Sequence, residues 1–76
     1  MAVNKTEIHP NPTKDFIEFK NIKTGSEISI YSLSGELIEK YIYNSYKHSL
    51  QNVKPGIYLI EVQQNLNKEY FKIIKL

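Results

Sequence analysis

The sequence contains neither cysteine nor arginine. Without cysteine, no disulfide can link the strands, and no thiolate can act as a nucleophile or a metal ligand. Arginine grips phosphates through two hydrogen bonds and reads guanine edges, so its absence argues against a nucleic-acid partner. The ten lysines are interspersed with eight acidic residues, as on a solvated surface, and leave a net charge of +2. We therefore expect no nucleic-acid binding.

Long apolar runs are also missing. The longest, Ile57–Ile60, has the size of a strand, whereas a bilayer span needs about 18 residues, so we expect no direct membrane insertion. Residues 1–5 lack the apolar stretch of a secretory signal peptide. The chain is therefore either cytoplasmic or a piece of a longer exported protein. On the second interpretation, Met1-Ala2 is an added start.

Catalytic groups occur as isolated residues. His9 and His48 stand beside turns without the spacing of a metal site, and we interpret both as surface histidines. The acidic residues are scattered, and the sequence has no glycine-rich phosphate loop and no nucleophile elbow. We expect no enzymatic activity, no metal and no cofactor.

Short apolar runs separated by turn signals dominate the sequence, whose 76 residues suffice for one domain. The runs are rich in Ile, Val, Tyr and Phe, and turns such as Ser34-Gly35 and Pro55-Gly56 divide them. They predict seven strands: Lys5–Ile8, Asp15–Phe19, Glu27–Ser32, Glu36–Tyr43, Tyr46–Leu50, Ile57–Gln63 and Glu69–Leu76. Their number and spacing predict an all-β fold, an antiparallel β-sandwich.

The six tyrosines allow a structural and a binding interpretation. Tyr58 shares the apolar face of its strand with Ile60 and Val62 and is predicted to lie in the core. Tyr41 and Tyr43 share a strand face and, with Tyr46, offer an aromatic platform for a sugar or a peptide. Tyrosine is also an ordinary strand residue, and we favour this structural interpretation.

The last strand is apolar on both faces. Phe71 and Ile73 alternate with Tyr70, Ile74 and Leu76, and Lys72 and Lys75 are inserted between them. Such a strand is buried on both sides, or frays at its end, or keeps its outer side for a partner, with the lysines limiting aggregation at the edge. Because the sequence stops on this strand, its end is itself a candidate signal.

The turns and strands together resemble the type A C-terminal sorting domain of the type IX (Por) secretion system of Bacteroidota. The matching segments, in chain order, are Pro10-Asn11-Pro12-Thr13, Phe16-Ile17, Ile28–Leu37, Leu50, Val53–Val62 and Tyr70–Leu76. Each motif is weak alone, but their common order is specific. Ser32 and Ser34 depart from the residues that are usual in this pattern.

The resemblance implies an immunoglobulin-like sandwich in which residues 6–76 form the sorting domain and residues 1–8 supply the linker, the added start and the first strand. It also implies three partners: an upstream cargo domain in the same chain, the outer-membrane translocon, and a sortase-like protease that cuts the domain off. The precursor would pass through the periplasm and reach the cell surface or the medium. A weak dimer through the last strand is left open.

The residues expected to carry the motif and its recognition are Pro10, Asn11, Pro12, Gly35, Gly56, Tyr58, Lys72, Ile74, Lys75 and Leu76. The two glycines would set hairpin geometry. The Pro10–Pro12 segment would separate the sandwich from an upstream linker. The last strand would be recognised through strand addition to a translocon component.

Two other classes of function stay open. An extracellular module that binds a carbohydrate or a protein would use Tyr41, Tyr43 and Tyr46 and would bind its ligand as an isolated domain. A structural spacer would work equally well at any position in a longer polypeptide.

Overall fold

A computed structural model describes residues 5–76, so the interpretation of Met1-Ala2 lies outside the described residues. All seven predicted strands are present, with ends that differ by a few residues, and residues 5–76 contain no helix. The strands are β1 (Glu7–His9), β2 (Phe16–Lys20), β3 (Glu27–Ser32), β4 (Leu37–Ile42), β5 (Lys47–Ser49), β6 (Gly56–Gln64) and β7 (Asn67–Lys75). No helix in this part of the chain is therefore long and apolar enough to cross a membrane.

The strands form two antiparallel sheets, as predicted. One sheet has three strands in the order β1-β2-β5, and the other has four in the order β4-β3-β6-β7. β6 pairs with β3 along one edge and with β7 along the other, so it is a central strand of the larger sheet. β4 and β7 are the outer strands of that sheet.

The hydrophobic core lies between the two sheets and follows the alternation of the sequence. Its buried side chains are Ile17, Phe19, Ile28, Ile30, Tyr43, Leu50, Ile60, Val62 and Ile73. In β3 and β6 these residues recur every second position, because successive side chains of a strand point to opposite faces. Tyr58 packs against this core as predicted, although it is only partly buried.

The β3–β4 hairpin shows how local sequence sets one end of the larger sheet. The N–H of Gly35 donates to the Ser32 carbonyl at 3.0 Å, and the N–H of Ser32 donates to the Glu36 carbonyl at 2.9 Å. Gly35 has φ +90, a conformation that side chains with a Cβ rarely adopt, which explains why glycine stands there.

Candidate recognition site

The last strand is an edge strand with one face on the core and one face outward. β7 pairs with β6 from Asn67 opposite Gln64 to Lys75 opposite Gly56. Ile73 is buried at 2 % exposure, whereas Tyr70 is 54 % exposed on the opposite face. The two-sided apolar pattern therefore reflects a core side and an exposed outer side.

The outer side of β7 continues across the larger sheet as a partly apolar surface. Register places Tyr70 beside Glu61, Lys72 beside Leu59 and Ile74 beside Ile57, which is 40 % exposed. Hydrogen bonding with Glu61 is the main influence that raises the pKa of Tyr70. We call Tyr70, Lys72 and Ile74, together with Leu76 directly after the strand, the outer residues of β7.

The Pro10–Pro12 segment lies against this strand. The Asn11 side chain accepts a hydrogen bond from the Ile74 N–H at 2.9 Å and donates one to the Lys72 carbonyl at 2.8 Å. Because β1 precedes the segment and pairs with β2, the segment is part of the sandwich and not a spacer in front of it. Its expected role as a separator is wrong for this reason.

Thr13 extends the same contact and was not among the residues predicted for the site. Its N–H donates to the Ile74 carbonyl at 2.8 Å, and its carbonyl accepts from the Leu76 N–H at 2.7 Å, which makes a parallel bridge with β7. The side chain is 2 % exposed, and its hydroxyl donates to the Phe16 carbonyl. In the sequence, Thr13 is marked by its place at the end of the Pro10-Asn11-Pro12-Thr13 motif.

The remaining predicted residues come to the same end of the sandwich. Gly56 pairs with Lys75, and the Tyr58 hydroxyl donates to the Lys54 carbonyl at 2.6 Å. Ser32 pairs with Tyr58, so the turn that contains Gly35 lies at this end as well. Folding therefore gathers residues that are spread from position 10 to position 76.

The aromatic platform suggested by the tyrosine pattern does not form. Tyr43 is only 8 % exposed, and its ring meets the Phe19 ring edge-on, with centroids 5.5 Å apart. Tyr41 is partly buried against the core, whereas Tyr46 is 60 % exposed. The structural interpretation is confirmed for Tyr43, and the three rings share no exposed face.

Both histidines, which the sequence analysis interprets as surface residues, are half-buried. The ring of His48 stacks on Tyr41 with centroids 4.1 Å apart, and its Nε2 lies 3.0 Å from a carboxylate oxygen of Glu39. This contact joins β5 of one sheet to β4 of the other. The Nε2 of His9 is buried and has no hydrogen-bond partner within residues 5–76. In the same range, no group of three or more His, Asp or Glu side chains is placed to hold a metal ion.

The chain is similar to known proteins both in its sequence and in its fold. A family model described as the secretion system C-terminal sorting domain matches residues 7–76. The chain is 36% identical over 77 residues to Beta-agarase A of Zobellia galactanivorans, and the match covers 95% of this chain but only 14% of the agarase.

Among solved structures, the fold is similar to part of PorZ of Porphyromonas gingivalis, described as an essential bacterial surface component of the type-IX secretion system. The TM-score is 0.75 at 14% identity, over 93% of this chain and 11% of that one. At this identity the likeness supports the fold alone.

Proposed function

Because the chain belongs to the family of type IX secretion system C-terminal sorting domains, we propose that the outer residues of β7 are the surface that the export machinery recognises. A sorting domain of this family directs the protein that carries it toward the cell surface or the extracellular space. The strand pattern, the two sheets and the family match over residues 7–76 all describe this one domain.

We further propose that an upstream cargo domain precedes this domain in the same polypeptide. The match to Beta-agarase A supports this, because the chain spans only 14% of that protein. The cargo would cross the periplasm, pass the outer-membrane translocon and lose the sorting domain to a sortase-like protease. The domain would do no chemistry of its own, and the cut would fall upstream of β1.

The observation that carries the recognition proposal is the exposure of large side chains on an ordered edge strand. Tyr70 and Leu76 are 54 % and 56 % exposed, and Lys72 is exposed between them. Clustered exposed apolar groups often mark interaction sites. Lysine on the same strand limits uncontrolled edge-to-edge association. The arrangement therefore suits a specific partner better than a purely structural spacer.

Export of a reporter tests this proposal. The 76-residue chain is fused behind a reporter with an inner-membrane export signal, in a host with a working type IX system and in a matched host without one. We expect export of the intact fusion in the first host, and retention when residues 70–76 are deleted. Continued export of the deleted fusion would reject recognition through β7.

A charge reversal gives a milder version of the same test. Lys72→Glu changes an outer residue of β7, and Lys68→Glu makes the same change on the same strand face, nearer the turn. Both lysines are exposed, so the two variants should fold equally well. We expect Lys72→Glu to reduce export more than Lys68→Glu. Equal export of the two variants would mean that the export machinery does not recognise the charge at position 72.

Self-association through β7 remains a prediction. Light scattering on the purified chain would measure it, and a monomer across the micromolar range would exclude a role for dimers at that concentration.

A further inference from the structure

The outer edge of β7 is closed over part of its length and open over the rest. In a strand, the N–H and C=O groups of alternate residues point to the same edge. Ile73 and Lys75 direct theirs toward β6, so those of Lys72, Ile74 and Leu76 point outward. Within residues 5–76, no strand pairs with this outer edge from Asn67 to Phe71. From Lys72 onward the edge is occupied.

The Asn11 side chain acts there as a substitute for a strand backbone. Its amide oxygen and nitrogen take the places of a peptide C=O and N–H, and they bind the Ile74 N–H and the Lys72 carbonyl. The backbone of Thr13 continues the row on the Ile74 carbonyl and the Leu76 N–H. Four successive outward groups of β7 are thus satisfied by one side chain and one peptide segment.

The segment that closes the edge cannot itself be extended into a sheet. Pro10 and Pro12 have no N–H to offer to a further strand. Thr13 anchors the segment because its side chain is buried and bonded to Phe16. The end of β7 is consequently protected against strand addition, while its outer side chains stay accessible.

We propose that Asn11 is the positioning residue of β7: it holds the Lys72–Leu76 edge closed, so that the export machinery reads an ordered strand through its side chains and not by adding a strand. This inference rests on the proposed function for what is read, but the closed edge can be measured independently. It replaces the strand-addition mode expected from the sequence. It also makes the signal discontinuous, with Asn11 and Ile74 separated by 63 residues in sequence.

Amide hydrogen exchange on the purified chain tests the positioning role. Ile73 and Ile74 are neighbours in β7 that hydrogen-bond toward opposite edges, so Ile73 is an internal control for general loss of stability. In Asn11→Ala, we expect the Ile74 amide to lose at least about tenfold more protection than the Ile73 amide, as for a lost hydrogen bond. Asn11→Asp keeps an acceptor for the Ile74 N–H but loses the donor to the Lys72 carbonyl. Protection of its Ile74 amide should therefore lie between that in the original chain and that in Asn11→Ala. Equal changes at both amides, or none, would overturn the positioning role.

The reporter fusion tests how the strand is read. The matched control is Asn44→Ala, because Asn44 is exposed in the β4–β5 loop and its side chain makes no hydrogen bond within the described residues. We expect export to fall several-fold in Asn11→Ala and to stay unchanged in Asn44→Ala. Export of Asn11→Ala at or above the original level would show that an open edge is tolerated or preferred, which overturns the proposal. If the deletion of residues 70–76 is exported, the recognition proposal fails while the exchange result on Asn11 still stands.

Discussion

Ile73 links the core to the proposed recognition strand, and its truncation should show how much that strand depends on packing. The side chain is 2 % exposed and lies opposite Tyr58 in the register of β6 and β7. Ile73→Ala removes three carbon atoms, which costs about 2.4 kcal/mol at roughly 0.8 kcal/mol for each buried carbon. The cavity left behind raises the cost to about 3–4 kcal/mol. A domain of this size has only about 3–5 kcal/mol of net stability, so the variant should be close to unfolding at growth temperature.

The measurement is urea unfolding, followed by far-UV circular dichroism and by tyrosine fluorescence. The chain has six tyrosines and no tryptophan, so tyrosine emission is not masked. Ile42→Ala is the matched control, because it makes the same chemical change at a side chain that is 55% exposed. Its cost should stay near 0.5 kcal/mol.

The comparison of the two variants can contradict the packing of β7. If Ile73→Ala costs no more than Ile42→Ala, β7 does not pack on the core as described. If Ile73→Ala is strongly destabilised but its fusion is exported normally at the same temperature, the machinery reads an unfolded segment. The ordered strand would then not be what is recognised.

Two further predictions concern the scaffold around the site. Gly35→Val places a β-branched side chain at φ +90 and should lower the free energy of unfolding by about 2 kcal/mol. Asparagine tolerates this conformation, so Gly35→Asn should lower it less. Equal losses in the two variants would contradict the backbone explanation. Tyr41→Phe removes a buried hydroxyl that has no partner within residues 5–76, so stability at neutral pH should be unchanged or higher by about 1 kcal/mol. Burial, followed by the Glu39 carboxylate, raises the pKa of Tyr41 above its ordinary value. The folded state therefore holds the phenol proton of Tyr41 more tightly than the unfolded state does. The resulting stabilisation is fully present below about pH 10, the ordinary pKa of tyrosine, and is lost as the pH rises further. Urea titrations at rising pH should show that the free energy of unfolding falls less at alkaline pH in Tyr41→Phe than in the original chain. An equal fall in both would refute this reasoning. Tyr46→Phe, at an exposed ring, is the control.

The elements of the fold were predictable because their signals are local. β3 and β6 alternate apolar and polar residues, and the glycine turn at Gly35 joins β3 to β4 as a hairpin. In β7, the same alternation predicted that Ile73 and Tyr70 lie on opposite faces of the strand. The sandwich class followed from the number and spacing of such runs, without knowledge of their partners.

Alternation indicates which residues share a face, but not what lies against that face. Tyr41 and Tyr43 looked like a pair on one surface, yet tertiary packing turns Tyr43 onto Phe19 and Tyr41 onto His48. Burial of this kind depends on how the two sheets stack, and no local sequence pattern in β4 or β5 predicts it.

The amino-acid sequence by itself determined the strands, the turns, the absence of thiol and arginine chemistry, and the family motifs, because each depends on residues close together in the chain. Tertiary structure alone decided that Asn11 and Thr13 close the edge of β7 next to Lys72, Ile74 and Leu76. A hydrogen bond between residues 63 positions apart requires the chain to bring two distant segments together, so the contact belongs to the folded molecule and not to either segment.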